Sequence, residues 1–190
     1  MAVTAIYSTT NESGIDINSV FILSTATPEY PNPPFHVGTL AWGTDGSEWV
    51  YCTASITITA GNVVAISNVP NTWSVALVGG SAAAGAYGSL LGVVGGSTGS
   101  IVVPAPTGSQ TATYFWVQRA GNCPNVTTAA STTKNALLYT VAATAGELFS
   151  TTPGTGSGNQ VSGIVISQAT GSAAGPNTAI LNYPVLFTAT

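Results

Sequence analysis

Few residues in this chain are equipped for chemistry. His36 is the only histidine among 190 residues, so any Ser/His/Asp, Cys/His or multi-histidine metal arrangement has to use it. Cys52 is the conceivable nucleophile, since catalytic partners meet in space rather than in sequence. Neither residue is embedded in a nucleophile elbow or a cysteine-protease signature. His36 therefore reads as a structural residue at a strand start, and Cys52 as a small buried hydrophobe. Asp45 and Glu48 stand three apart in Gly43-Thr44-Asp45-Gly46-Ser47-Glu48, a spacing that suggests Ca²⁺ or acid/base work. Calcium loops present oxygen ligands more densely than this, and a hairpin turn accounts for Asp45-Gly46. A glycosidase needs two carboxylates across a cleft, and of six acidic residues Glu12, Asp16 and Glu29 lie near the N-terminus. The glycine-rich stretches 79–88 and 154–158 lack the Lys-Ser/Thr of a phosphate loop and read as turns. No catalytic, cofactor-binding or metal-binding residue is assigned, and the chain is expected not to be an enzyme.

The charge pattern says more. Charged residues make up 4% of the chain, against about a quarter in an ordinary soluble domain. None occurs from Val50 to Gln118, and the only cations are Arg119 and Lys134. With a formal net charge of -4, the clustered Lys and Arg that displace phosphate counterions are missing, which argues against nucleic acid as a partner. A membrane helix needs about 20 continuous apolar residues, and the best stretch, Val75 to Val103, is interrupted by eight glycines from Gly79 to Gly99. The start Met1-Ala2-Val3-Thr4-Ala5-Ile6 lacks the basic and apolar regions of a signal peptide. Synthesis in a cytoplasm gives Cys52 and Cys123 no oxidant, so both are expected free, and the acceptor pattern Asn125-Val126-Thr127 reads as accidental. Such a surface suits a subunit that is covered by other protein.

The elements that have to position these residues are strands. Ser, Thr, Gly, Ala and Val dominate, the usual helix formers are scarce, and 45% of the residues are hydrophobic, which opposes disorder. The fold expected is all-β, a sandwich or barrel of short antiparallel strands. Residues 1–34 are expected to form an extended Pro-rich arm, ending in Pro28-Glu29-Tyr30-Pro31-Asn32-Pro33-Pro34 and carrying one candidate strand over Ser19 to Ser24. Residues 35–190 form the core domain. From Glu48 to Thr59 apolar residues alternate with aromatic and hydroxyl ones, which predicts the longest strand, half-buried, with Val50, Ala54 and Ile56 inside. Further strands are expected at 36–42, 63–67, 73–78, 90–94, 101–103, 112–118, 136–142, 160–166 and 179–187, with 146–160 a flexible loop. Arg119 ends one of these strands and is expected to meet an acidic or carbonyl partner, with Glu48 or Asp45 preferred.

Three groups of residues carry a resemblance. Phe35-His36-Val37-Gly38-Thr39, Gly43 to Tyr51 and Ile58 to Val64 come first; Tyr114 to Gly121, Ala136 to Thr140 and Thr144 to Leu148 follow; Gly163-Ile164-Val165 and Ala179 to Pro184 close the chain. In that order they resemble tailed-bacteriophage proteins that decorate or cement the icosahedral head, over about residues 35 to 190. The resemblance implies β-rich, often trimeric subunits on the capsid exterior, partnered by the major capsid protein and by themselves, without activity or cofactor. The chain departs from the pattern in its fewer charges and in a longer Gly-rich insertion between Ser81 and Thr111. Two alternatives stay open: a carbohydrate- or receptor-binding β-module of a virion, for which Trp42, Trp49, Trp73 and Trp116 would supply stacking platforms, and a small hydrolase.

Overall fold

Every regular element among the described residues is a β-strand, as the composition requires. The structure is a computed structural model that describes residues 15–25, 32–67, 72–79, 90–95, 101–141, 144–150, 158–168, 171 and 173–187. The strands are β1 (Phe21–Ser24), β2 (Leu40–Trp42), β3 (Glu48–Ala54), β4 (Ile58–Thr59), β5 (Val63–Ile66), β6 (Ser74–Leu77), β7 (Leu90–Val94), β8 (Val102–Val103), β9 (Gln110–Thr128), β10 (Leu138–Val141), β11 (Thr144–Phe149), β12 (Gln160–Ile166) and β13 (Gly175–Phe187). Eleven join one mixed sheet, and β4 pairs β8 in a second, two-stranded one. Most pairings are antiparallel, but β3 with β6 and β11 with β9 run parallel.

Following the ladders gives two closed circuits that share β9. In the first, β9 pairs β3, β3 pairs β6, β6 pairs β5, β5 pairs β7 and β7 returns to β9. In the second, β9 pairs β11, then β10, β12 and β13 follow, and β13 returns to β9. The side chains agree with this reading. Val50, Cys52 and Ala54 from β3, Val64 and Ile66 from β5, Val75 from β6, Val94 from β7, and Phe115 and Val117 from β9 form one buried cluster inside the first circuit. Ile58 and Val103 of the small sheet join that cluster, so the β4–β8 pair closes one end of it.

The opposite faces of these strands are buried too. Val63, Ala65, Leu91 and Val93 point away from the first circuit and join Cys123, Val126, Leu138, Leu148, Val161, Ile164, Ile166, Ala179, Leu181 and Leu186 in the core of the second. Burial on both faces is why Val63-Val64-Ala65-Ile66 and Leu90-Leu91-Gly92-Val93-Val94 read as continuous apolar runs without alternation. On the far side of β3 and β9, Trp49, Tyr51 and Trp116 pack with Ala41, Ile15 and Ile17. Phe35 meets Tyr51 and Trp116 edge-on at centroid distances of 5.4 and 5.2 Å. Thus β3 is buried on both faces, where the alternation suggested one.

Several expectations need correcting. The longest strand is β9, whereas Glu48 to Thr59 is broken after Ala54. Beyond Ala54 the chain leaves its ladder with β9 at Thr113 and crosses to pair β8, so Ile56 stands at the crossing, 37% exposed, while Val50 and Ala54 are buried as expected. The turn-like sequence Gly121-Asn122-Cys123-Pro124 does not end β9. Gly121 adopts φ +93, and the ladder to β13 skips register where Pro124 stands, the kind of site that tolerates a residue with no amide to donate. Residues 146–149, expected in a loop, belong to β11, which the ladder to β10 holds. Of the N-terminal segment, β1 adds an antiparallel edge strand to β9 of its own chain, and Ile15 and Ile17 lie in the aromatic cluster. The prolines Pro28 and Pro31, residues 1–14 with Glu12, Glu29, loop 151–157, and residues 80–89 and 96–100 of the glycine-rich insertion lie outside the described residues.

Gly92 marks how tightly the two circuits are joined. A Cβ there would lie 2.4 Å from Val117 Cγ1 and 2.9 Å from the Gln118 carbonyl oxygen. Gly92→Ala is therefore expected to destabilise the fold by about 1–3 kcal/mol through overpacking, read as a lower urea midpoint at unchanged slope.

Candidate functional site

His36, Cys52, Asp45, Glu48 and Arg119 each have a definite place. His36 is exposed and lines a cavity of about 510 Å³ with Asn32, Pro33, Pro34, Phe35 and Thr39. Cys52 has no exposed surface and faces the interior of the first circuit, so the two do not pair. Burial pushes the Cys52 thiol far above its ordinary range and that of Cys123 to about 11; both are free and belong to different cores. No group of three His, Cys, Asp or Glu side chains among the described residues could hold a metal ion. Among the described residues no helix is long and apolar enough to cross a membrane.

Asp45 and Glu48 part company. Asp45 Oδ1 accepts hydrogen bonds from the Ser47 amide at 3.0 Å and the Ser47 hydroxyl at 2.6 Å, which fixes the turn between β2 and β3. Trp49 Nε1 donates to Ser47 Oγ at 2.8 Å and ties that turn to the aromatic cluster. Glu48 instead accepts, through Oε2, a hydrogen bond of 2.8 Å from the Tyr183 hydroxyl. The remaining buried carboxylate, Glu147, sits on β11, where loss of hydration raises its pKa.

Two bulges build the Glu48 site. On β9, Gln118 pairs Trp49 and Ala120 pairs Glu48, leaving Arg119 as an extra residue opposite the end of β3. On β13, Leu181 pairs Ile164 and Val185 pairs Ser162, so Asn182, Tyr183 and Pro184 face Gly163 alone. Bulges of this kind re-aim side chains. Tyr183 takes a φ of 46, a left-handed value uncommon for a side-chain-bearing residue. Gly163 makes room, since a Cβ there would lie 2.6 Å from the Asn182 carbonyl oxygen. The Tyr183 ring emerges 48% exposed, with the Arg119 guanidinium carbon 5.5 Å from its centroid.

Arg119 thus meets an aromatic face rather than the acidic or carbonyl partner expected. It makes no ion pair with Glu48 or Asp45, and its buried Nε has no hydrogen-bond partner among the described residues. The bulge is the physical reason: it turns Arg119 toward β13 instead of along the Asp45 turn. Trp42 completes the group. It pairs Glu48 across the β2–β3 ladder, and directly paired residues share a face with Cβ atoms about 5 Å apart; Trp42 is 43% exposed. Sequence reasoning missed Tyr183, which lies 135 residues from Glu48, and its only local sign is an aromatic before Pro184 in a strand pattern. No known protein family matches the chain, and no characterised protein aligns with it significantly.

The hydrogen bond to Glu48, with that residue's negative charge, holds the Tyr183 hydroxyl above the usual tyrosine range, against a smaller opposing pull from Arg119. Because the folded pKa is the higher one, the contribution of this pair to stability is complete below the ordinary tyrosine range and is lost as pH rises through the pKa of Tyr183. An alkaline titration followed by tyrosinate absorbance is expected to show this group ionising earlier in Glu48→Gln and missing in Tyr183→Phe.

Proposed function

We propose that this protein is a structural virion component that binds the outside of an icosahedral phage head and cements or decorates its major capsid protein lattice, as a homotrimer and without catalysis. The observation that carries the reading is the uncharged outer face of β9, β12 and β13. Val165 pairs Ile180, which pairs Asn122; Val165 is 46% and Ile180 54% exposed. The neighbouring rows hold Gly163, Asn182 and Ala120 on one side and Ser167, Thr178 and Pro124 on the other, none of them charged.

Two adjacent exposed aliphatic side chains set in an uncharged face give protein a place to dock. An uncharged face docks on protein without stripping water from ions, and on a lattice the contact is repeated at every equivalent position, so weak docking adds up. The sequence resemblance to head-decoration proteins points the same way. Neither nucleic acid nor membrane is a partner in this reading, and the virion exterior is the location.

The carbohydrate-binding alternative loses most of its platforms. Trp49 and Trp116 are buried, and Trp73 packs on Gly38, where a Cβ would lie 2.4 Å from the indole Nε1. Only Trp42 remains available.

The test uses purified protein and phage heads that lack it. A solution mass of three subunits, saturable binding to those heads and a raised disruption temperature are expected; Ile180→Lys should weaken the binding. A monomer that neither binds the heads nor protects them would overturn the proposal.

A further inference from the structure

The rim formed by Trp42, Glu48, Arg119 and Tyr183 has the composition of a ligand site, and its parts come from three separated segments of chain. Glu48 and Arg119 are two of only eight charged residues in the molecule, six acidic and two basic, yet they neighbour one another without forming an ion pair. The half-buried Arg119 makes no ion pair among the described residues, and its Nε is buried without a hydrogen-bond partner, which leaves the outer nitrogens of the guanidinium to meet a ligand. Such a guanidinium beside a carboxylate offers donors and an acceptor within one small area. The two exposed rings flank that area with apolar, polarisable faces.

We infer that this rim binds a saccharide. A sugar presents hydroxyls that accept from Arg119 and donate to Glu48, and a C–H face that lies on Trp42. The formal charges of Glu48 and Arg119 cancel, which suits a neutral polyol better than a phosphate or a polycation. The site is also held in advance. Asp45 and Ser47 fix the turn that follows Trp42, Gly121 packs where a Cβ would meet Ser47 Cα at 2.7 Å, and the Glu48 hydrogen bond fixes Tyr183. Little ordering remains to oppose binding. The inference does not depend on attachment to a head, since the site is on the subunit itself and two of its four residues, Trp42 and Glu48, come from β2 and β3, outside the face of β9, β12 and β13 that Arg119 and Tyr183 border.

Saturation-transfer NMR and calorimetry on the isolated protein would use free hexoses, N-acetylhexosamines, uronic acids and their short oligomers. At least one is expected to bind saturably, with affinity reduced about tenfold or more in Trp42→Ala, partly recovered in Trp42→Phe and reduced in Glu48→Gln. Leu137→Ser, which alters an exposed apolar residue of the second circuit, should bind as the parent protein does. No binding by any member of the panel, or unchanged affinity in Trp42→Ala, would overturn the inference. Failure here together with successful head binding would leave the structural reading intact.

Discussion

The β3–β9 ladder is the constraint on which the other contacts depend. From Ala54 opposite Thr113 to Val50 opposite Val117 the two strands run in unbroken register, and each successive side chain goes to a different core. Val50, Cys52, Phe115 and Val117 fill the first circuit, while the Tyr51 and Trp116 rings pack at 4.9 Å, tilted by 53°, on the other face. A slip of one residue would exchange these sets, driving the large rings of Tyr51 and Trp116 into space sized for smaller side chains. The bulge at Arg119 lies at the end of this register, so the geometry of the Glu48 site is inherited from it.

What the sequence made legible was whatever two-residue periodicity or an uninterrupted apolar run could encode. Strands β7 and β12 begin and end where the sequence places them. Burial on both faces of β3 was hidden because tryptophan and tyrosine serve equally on a wet face and in an aromatic core. Strand β9 runs well past the 112–118 expected, through Gly121 and Pro124, residue types that usually punctuate and here sit at a bend and a ladder irregularity. Glu48 was visible as a candidate, but its neighbour in sequence, Asp45, drew attention that belonged to Tyr183. No local rule joins residues across that span, and the direction in which Arg119 turns depends on a bulge that register alone creates.

Charge scarcity gives the Glu48 site its character. Water solvates an isolated guanidinium well, and removing it from water without a partner is costly. Here the ring of Tyr183 provides a face for the cation, and the same residue's hydroxyl satisfies the nearby carboxylate. One tyrosine therefore mediates between two opposite charges that do not touch. Its left-handed backbone is the strain that such placement involves, and Gly163 is the concession made by the neighbouring strand.

Sharing β9 has a consequence for the order in which the molecule matures. The first circuit is built from β3, β5, β6, β7 and the first half of β9, and the rest of the second circuit follows in sequence. A chain emerging from its N-terminus can complete the first ring early, but the outward side chains Val63, Ala65, Leu91 and Val93 then remain bare until β10 to β13 arrive to cover them. Nascent chains in that interval carry an adhesive flank that the finished protein conceals. A chain held at that stage would offer apolar surface to another copy in the same state, the condition under which partly folded proteins aggregate.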